Sequence, residues 1–445
     1  MKKIIYLFGL LFAVSVISST MMAQTASAVV EEATLDTGNT AWMIVATVLV
    51  LFMTIPGLAL FYGGLVRAKN VLSIIMQCMV CVCAITIIWV AFGYSWVFGT
   101  GFEGSGAFEF IGGFDKVFLS RLTLDTLTDG NIPEILFAMF QCMFAIITPA
   151  LIIGAFAERM KFGGFLLFTV LWVIIAYFPM AHWVWGGGWM MRLGAIDFAG
   201  GTVVHINAGI SALIMCLMMG KRKFFADGRS TPPHNITFVF MGAAFLWIGW
   251  FGFNAGSGLA ADGLAANALL VTHIATAVAA FVWMAIDWFK HKKPTTVGIC
   301  TGAVAGLVAI TPAAGTVDVL GAFFIGATAS IVCFIMVAVV KAKLKYDDSL
   351  DAFGVHGIGG LVGSILVGVF ATQAITGASG EQGALYGNWN QLWIQVVVSL
   401  AAIAYSAIVT FILFYIVDKS VGIRVNPRVE EESLDVYEHG ETSYN

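Results

Sequence analysis

Two histidines lie in apolar settings with no charged neighbour: His205 in GGTVVHINAG (200–209) and His356 in FGVHGIGGLVG (353–363). A neutral imidazole carries one donor and one acceptor nitrogen, so such a ring either bonds a backbone carbonyl, binds a metal, or passes hydrogen bonds or a proton to something that moves. Haem ligation by two facing histidines is one reading. Against it, one pair holds only one haem, no interior arginine is placed for propionates, and the flanking glycines leave room for a thin pore rather than a macrocycle. The third reading is a path for a small cation that must exclude potassium, which size alone does not achieve.

Such a path needs acceptors and aromatic faces. FQCMF supplies Phe140 and Phe144, HWVWGGG supplies Trp185, and WFGFNAGS supplies Trp250, Phe251 and Phe253. A partly desolvated cation gains about 0.5–2 kcal/mol from each such ring, although aromatic belts at membrane surfaces have the same composition. Asp197 opens DFAGG, where it either caps a helix or faces an arriving cation; Asp351 stands similarly before His356 in LDAFGVHG. His273 reads as an ordinary core histidine. The seven cysteines lie in apolar runs and read as small core residues, without a fourth ligand near Cys78, Cys81 and Cys83.

The elements that must position these residues are long apolar helices. The chain has 445 residues, is 60% hydrophobic and only 11% charged, a balance that implies lipid-facing surface. Its net charge of −4 gives no reason to expect a nucleic-acid partner. Residues 1–28 read as a secretory signal with a basic start, an apolar run and a small-x-small site ending at Ala28. Eleven spans follow at about 41–66, 71–98, 133–157, 162–181, 200–220, 235–257, 268–289, 297–315, 318–340, 352–372 and 392–417. With the N-terminus outside, 17 of the 22 Lys and Arg fall in the inner segments and tail, as the positive-inside rule requires. Ile-Thr-Pro-Ala recurs at 147–150 and 310–313, in the third and eighth spans, and the two histidines fall in the fifth and tenth. The shared offset of five predicts two inverted five-helix repeats plus a final helix in an all-α polytopic membrane protein. Small-residue pairs such as Gly302 with Gly306 and Gly359 with Gly363 suit close helix packing.

DFAGGTVVHINAGISALIMCLMMGKR (197–222), with WFGFNAGS, AFAERMKF, ITPAAG and DAFGVHGIGG, resembles the ammonium transporter (Amt/Rh) family in its bacterial Amt branch, from about residue 39 to the C-terminus. The resemblance implies a homotrimer in an inner membrane with a pore in each subunit, no enzymatic activity and no cofactor. It implies an outer ammonium (or methylammonium) site at Phe140, Phe144, Trp185 and Ser257, a gate of Phe144 over Phe253, and twin pore histidines His205 and His356. Asp197 would shape the entrance, and Thr311 matches a pore-region threonine.

The chain then divides into the signal at 1–28, a transmembrane domain at 29–418 and a cytoplasmic tail at 419–445. The tail, GIRVNPRVEEESLDVYEHGETSYN from 422, is polar and acidic, a composition that reads as disordered. It also resembles the family's regulatory tail, whose LD and HGE help dock a PII-type signalling protein and touch a neighbouring subunit. The rival to a transporter is an ammonium sensor signalling through this tail. Carbon dioxide conduction, suggested for Rh relatives, is a third reading.

Overall fold

The computed structural model describes residues 34–128, 130–229 and 231–444, so the signal expected at 1–28 lies outside the described residues. Regular structure among them is helical apart from two isolated β-bridges. Among the described residues ten helices are long and apolar enough to cross a membrane: α1 (Thr37–Leu65), α2 (Ala68–Phe98), α3 (Glu134–Phe156), α4 (Phe162–Leu193), α5 (Gly201–Met219), α6 (Ile236–Gly256), α7 (Gly263–His291), α9 (Val319–Leu344), α10 (Phe353–Phe370) and α11 (Trp389–Ser420). The eighth expected span is the shorter apolar helix α8 (Thr296–Ile310). It ends at Ile310, and residues 311–316 form turns.

Local chemistry sets several of the helix starts. Asp36, Asn235, Asp262, Thr295, Asp318 and Asn388 each accept a backbone N–H three residues on, at the heads of α1, α6, α7, α8, α9 and α11. These residue types are favoured there because a short side-chain oxygen reaches the unpaired amides of the first turn. The packing of α8 on α7 depends on the absence of side chains. A Cβ at Gly302 would meet the Trp283 Cβ at 2.5 Å, and one at Gly306 would meet the Ala275 carbonyl at 2.7 Å. Phe240, Phe281, Phe323 and Phe411 stand on the outer surface of the bundle, where only lipid or another protein would cover them.

The face carrying the basic loops is closed by a buried ionic cluster. Glu158 accepts from Arg67, Asn70 and Arg222, and Asp347 accepts from Arg222 and Arg159. Burial by itself would raise both carboxyls, but the guanidinium groups more than offset this and hold Glu158 and Asp347 below the ordinary carboxylate range. The acidic tail is docked on this cluster rather than free. Asp435 accepts the N–H groups of Leu72 and Ser73 at the head of α2, and Glu438 accepts that of Phe162 at the head of α4. Composition misled here because the tail's acids find partners only once two distant helix ends are brought together.

Candidate functional site

α5 and α10, the fifth and tenth helices, cross at a point where neither has a side chain. A Cβ on Gly209 would lie 2.1 Å from the Gly357 nitrogen, so the two backbones touch. This contact brings His205 and His356 together, with their Nδ1 atoms 3.4 Å apart, their ring centroids 5.4 Å apart and their planes 20° from parallel. At that distance each Nδ1 has the other as its hydrogen-bond partner. Each histidine rides on a wide turn, Gly201–Ile206 and Phe353–Gly357, of the kind often found at functional sites because it shifts a side chain out of the regular helical register.

The starts of these two helices are fixed by the same device. Asp197 accepts four backbone N–H groups, from Gly200, Gly201, Thr202 and Val203, at 2.5–3.1 Å. Gly200, at φ +116°, provides the left-handed turn that folds the chain back over the carboxylate. In α10 the equivalent acid is Asp348, which accepts from Ala352 and Phe353 at 3.1 and 2.8 Å. Each aspartate stands eight residues ahead of its histidine. Asp351, expected from the sequence to hold this place, instead pairs with Lys341 at 2.6 Å. The eight-residue register of Asp197 and His205, carried to His356, would have identified Asp348.

On the side away from the basic loops, a cavity of about 210 Å³ is lined by Phe98, Phe137, Gln141, Phe144, Trp185 and Ser257 among others. The Phe144 and Trp185 rings meet edge to face at 5.8 Å. Trp185 is held by its Nε1–H donating to the Asp197 carbonyl at 2.8 Å. Ser257 donates its hydroxyl to the Phe253 carbonyl at 2.8 Å, which leaves its lone pairs as acceptors. Phe140 is fully buried behind the cavity with its ring 5.0 Å from that of Phe144, and Gln141, which sequence reading passed over, lines the wall. Phe251 turns the other way, toward the His273 ring.

Below this cavity Phe144 stacks on Phe253 at 4.2 Å, and Phe253 in turn lies 6.2 Å from His205. Trp250 stacks on the His205 ring at 5.5 Å and donates its Nε1–H to Thr311 at 2.9 Å. Thr311 therefore sets the plane of the histidine's neighbour. Its own hydroxyl bonds the Leu307 carbonyl, as Thr148 in the other Ile-Thr-Pro-Ala bonds that of Phe144. His356 lines a second cavity of about 210 Å³ on the basic-loop side, with Phe61, Tyr62, Ser349 and Asp351. Among the described residues His205 Nε2 has no hydrogen-bond partner. An apolar, aromatic constriction thus separates two cavities, and the histidine pair is the polar step within it.

Residues 41–444 match the Ammonium Transporter Family. The chain is 50% identical to an ammonium transporter of Aquifex aeolicus over 93% of this chain and 95% of that one. In three dimensions it is similar to Mep2 of Candida albicans, with a TM-score of 0.82 and 37% identity over 88% of this chain and 87% of that chain. A solved sensor Amt protein is also similar, with a TM-score of 0.82 and 30% identity over 90% of this chain and 98% of that one. The match over nearly the whole chain, at this identity and with this fold, means that the protein is a multi-pass membrane protein that belongs to the Ammonium Transporter Family.

Proposed function

We propose that the protein recruits ammonium at the aromatic cavity, removes one of its protons there, and passes ammonia between Phe144 and Phe253 and along His205 and His356, while the proton is handed along the same histidine pair and rejoins ammonia as ammonium on the basic-loop side, so that net charge crosses. The observation that carries this reading is the histidine pair, placed between two cavities behind a ring stack. Phe144 and Trp185 offer faces, with Phe140 packed behind them, and Ser257 offers an acceptor; each face contributes about 0.5–2 kcal/mol to a partly desolvated cation. Carrying the bare cation onward through an apolar constriction costs several kcal/mol. Ammonium avoids that cost by losing a proton, and potassium has none to lose. Each neutral imidazole then presents a donor and an acceptor, replacing the water that ammonia leaves behind. Asp197 holds α5 and, through its carbonyl, Trp185; Thr311 holds Trp250 against His205.

The same reading places residues 1–28 as a signal, 29–418 as the transporting domain in a cell membrane, and 419–445 as a cytoplasmic tail, with three chains assembling and a PII-type protein binding at the tail. Supporting the tail assignment, Asp435 and Glu438 tie it to the heads of α2 and α4, so displacing it would be felt by two membrane helices. The test of conduction is uptake of labelled methylammonium into vesicles containing the protein. Competition by ammonium and not by potassium is expected, and equal competition by potassium contradicts the proposal. The docked tail and the likeness to a sensor Amt protein favour a second reading, an ammonium sensor; saturable binding at the outer cavity without uptake would decide for it.

A further inference from the structure

The outer end of α2 and the head of α3 enclose a charged pair beside the aromatic cavity. Glu134 is the first residue of α3, and Phe137 and Gln141, which line the cavity, follow it on the same helix face. The carboxylate thus stands about 4.5 Å outward of Phe137 along the helix axis. Lys116 reaches it from the loop between α2 and α3, donating to Oε1 at 2.6 Å, and its own backbone N–H is held by the Ser95 hydroxyl at 2.9 Å. Tyr94 of α2 donates to the same Oε1 at 2.6 Å, and the Lys116 ammonium lies 5.7 Å from the Tyr94 ring centroid. Oε2 accepts no hydrogen bond among the described residues. Phe98 and Phe137, both lining the cavity, stand 5.6 and 6.5 Å from the Tyr94 ring. The two charged side chains are only 20% and 12% exposed, so their fields are screened less than those of a surface pair. The neighbouring acid in the loop, Asp115, is already engaged by the amides of Thr100 and Gly101.

From this juxtaposition we propose that the Lys116–Glu134 pair sets the affinity of the outer cavity for its cation, with Glu134 attracting it and Lys116 acting as a tethered competitor. The inference rests on the recruitment of ammonium at the aromatic cavity and names the groups that tune it. A primary ammonium on a carboxylate oxygen, against an aromatic face, is the contact a free alkylammonium would make there, and Lys116 already fills it. With both charges present their fields largely cancel in the cavity. Without the lysine charge, the carboxylate raises the local concentration of cations; without the carboxylate charge, the lysine lowers it. A pair serving only to pin the loop behaves differently, because neutralising either end removes the same bond and moves the protein in the same direction.

The test is the half-saturating concentration of labelled methylammonium, read both as uptake into vesicles and as saturable binding to the purified full-length protein. K116M is expected to lower it about two- to fourfold and E134Q to raise it by a similar factor. The double variant K116M/E134Q is expected to return close to wild type, and so is Y94F, which loses a hydrogen bond to Glu134 but no charge. Shifts of the same sign in K116M and E134Q, no shift in either, or a shift of equal size in Y94F overturns the proposal and leaves recruitment at the cavity standing. Wild-type binding without uptake removes transport alone, and the same ranking is then read from binding. Absence of both in wild type overturns recruitment itself, and this proposal with it.

Discussion

The heads of α5 and α10 are two versions of one arrangement. In each, an aspartate caps the helix, a wide turn follows, and a histidine stands eight residues on. They differ in what surrounds the device. Asp197 spends both oxygens on four amides, and the histidine it positions lies against Trp250 and near Phe253. Asp348 takes only two amides, has Lys341 and Asp351 nearby, and positions a histidine that lines a cavity with polar walls. The comparison teaches that one half of the repeat is built to hold a constriction rigid and the other to open it toward solvent.

Substitution at the two caps breaks the comparison most directly. Asp197→Ala leaves four amides of a buried first turn without their acceptor and is expected to cost about 3 kcal/mol; Asp348→Ala, with two amides, about 1–2 kcal/mol. Thermal unfolding in detergent measures both, and a larger loss at Asp348 would mean the caps are ranked wrongly. A smaller effect is expected one step further from the pair. Thr311→Val removes the acceptor of the Trp250 N–H and should cost about 1 kcal/mol while lowering transport, because the ring stacked on His205 loses its anchor. Unchanged transport in that variant would detach Thr311 from the site.

The smallest effect concerns pH and separates two adjacent residues. Burial pushes the Asp348 carboxyl up to about 6, while the arginines hold Asp347 and Glu158 low. A raised carboxyl favours the folded state more as pH falls through its folded value. Depressed carboxyls contribute fully above the ordinary carboxylate range of about 4, and that contribution disappears as pH falls through their folded values. The thermal midpoint should therefore rise slightly from about pH 7 to about pH 5 and fall below about pH 4. Asp348→Asn is expected to reduce the rise and Glu158→Gln to reduce the fall; a monotonic profile unaffected by either contradicts the assignment.

Much of this was legible in the sequence, and what was not has a common cause. Helix positions follow from runs of apolar residues, so ten spans appear at full length among the described residues, but the end of α8 at Ile310 did not follow, since the same Ile-Thr-Pro-Ala lies inside the unbroken α3. The meeting of His205 and His356 followed from the offset of five helices between matched motifs. The choice between Asp348 and Asp351 did not follow, because three acids stand within five residues and only the folded backbone selects one. The wide turns, the stacking of Trp250 on His205 and the docking of the tail were equally hidden. Each depends on groups brought together from distant segments, which no local pattern encodes.

The most direct test of the proposed path is the current evoked by an ammonium jump on proteoliposomes, with a potassium jump as control and His356→Ala and His205→Ala alongside. The account predicts an ammonium response, none to potassium, and loss of the response in both variants, with the deeper loss at the enclosed His205. An ammonium response of full size in both variants, or a comparable response to potassium, would contradict the claim that the histidine pair is the route.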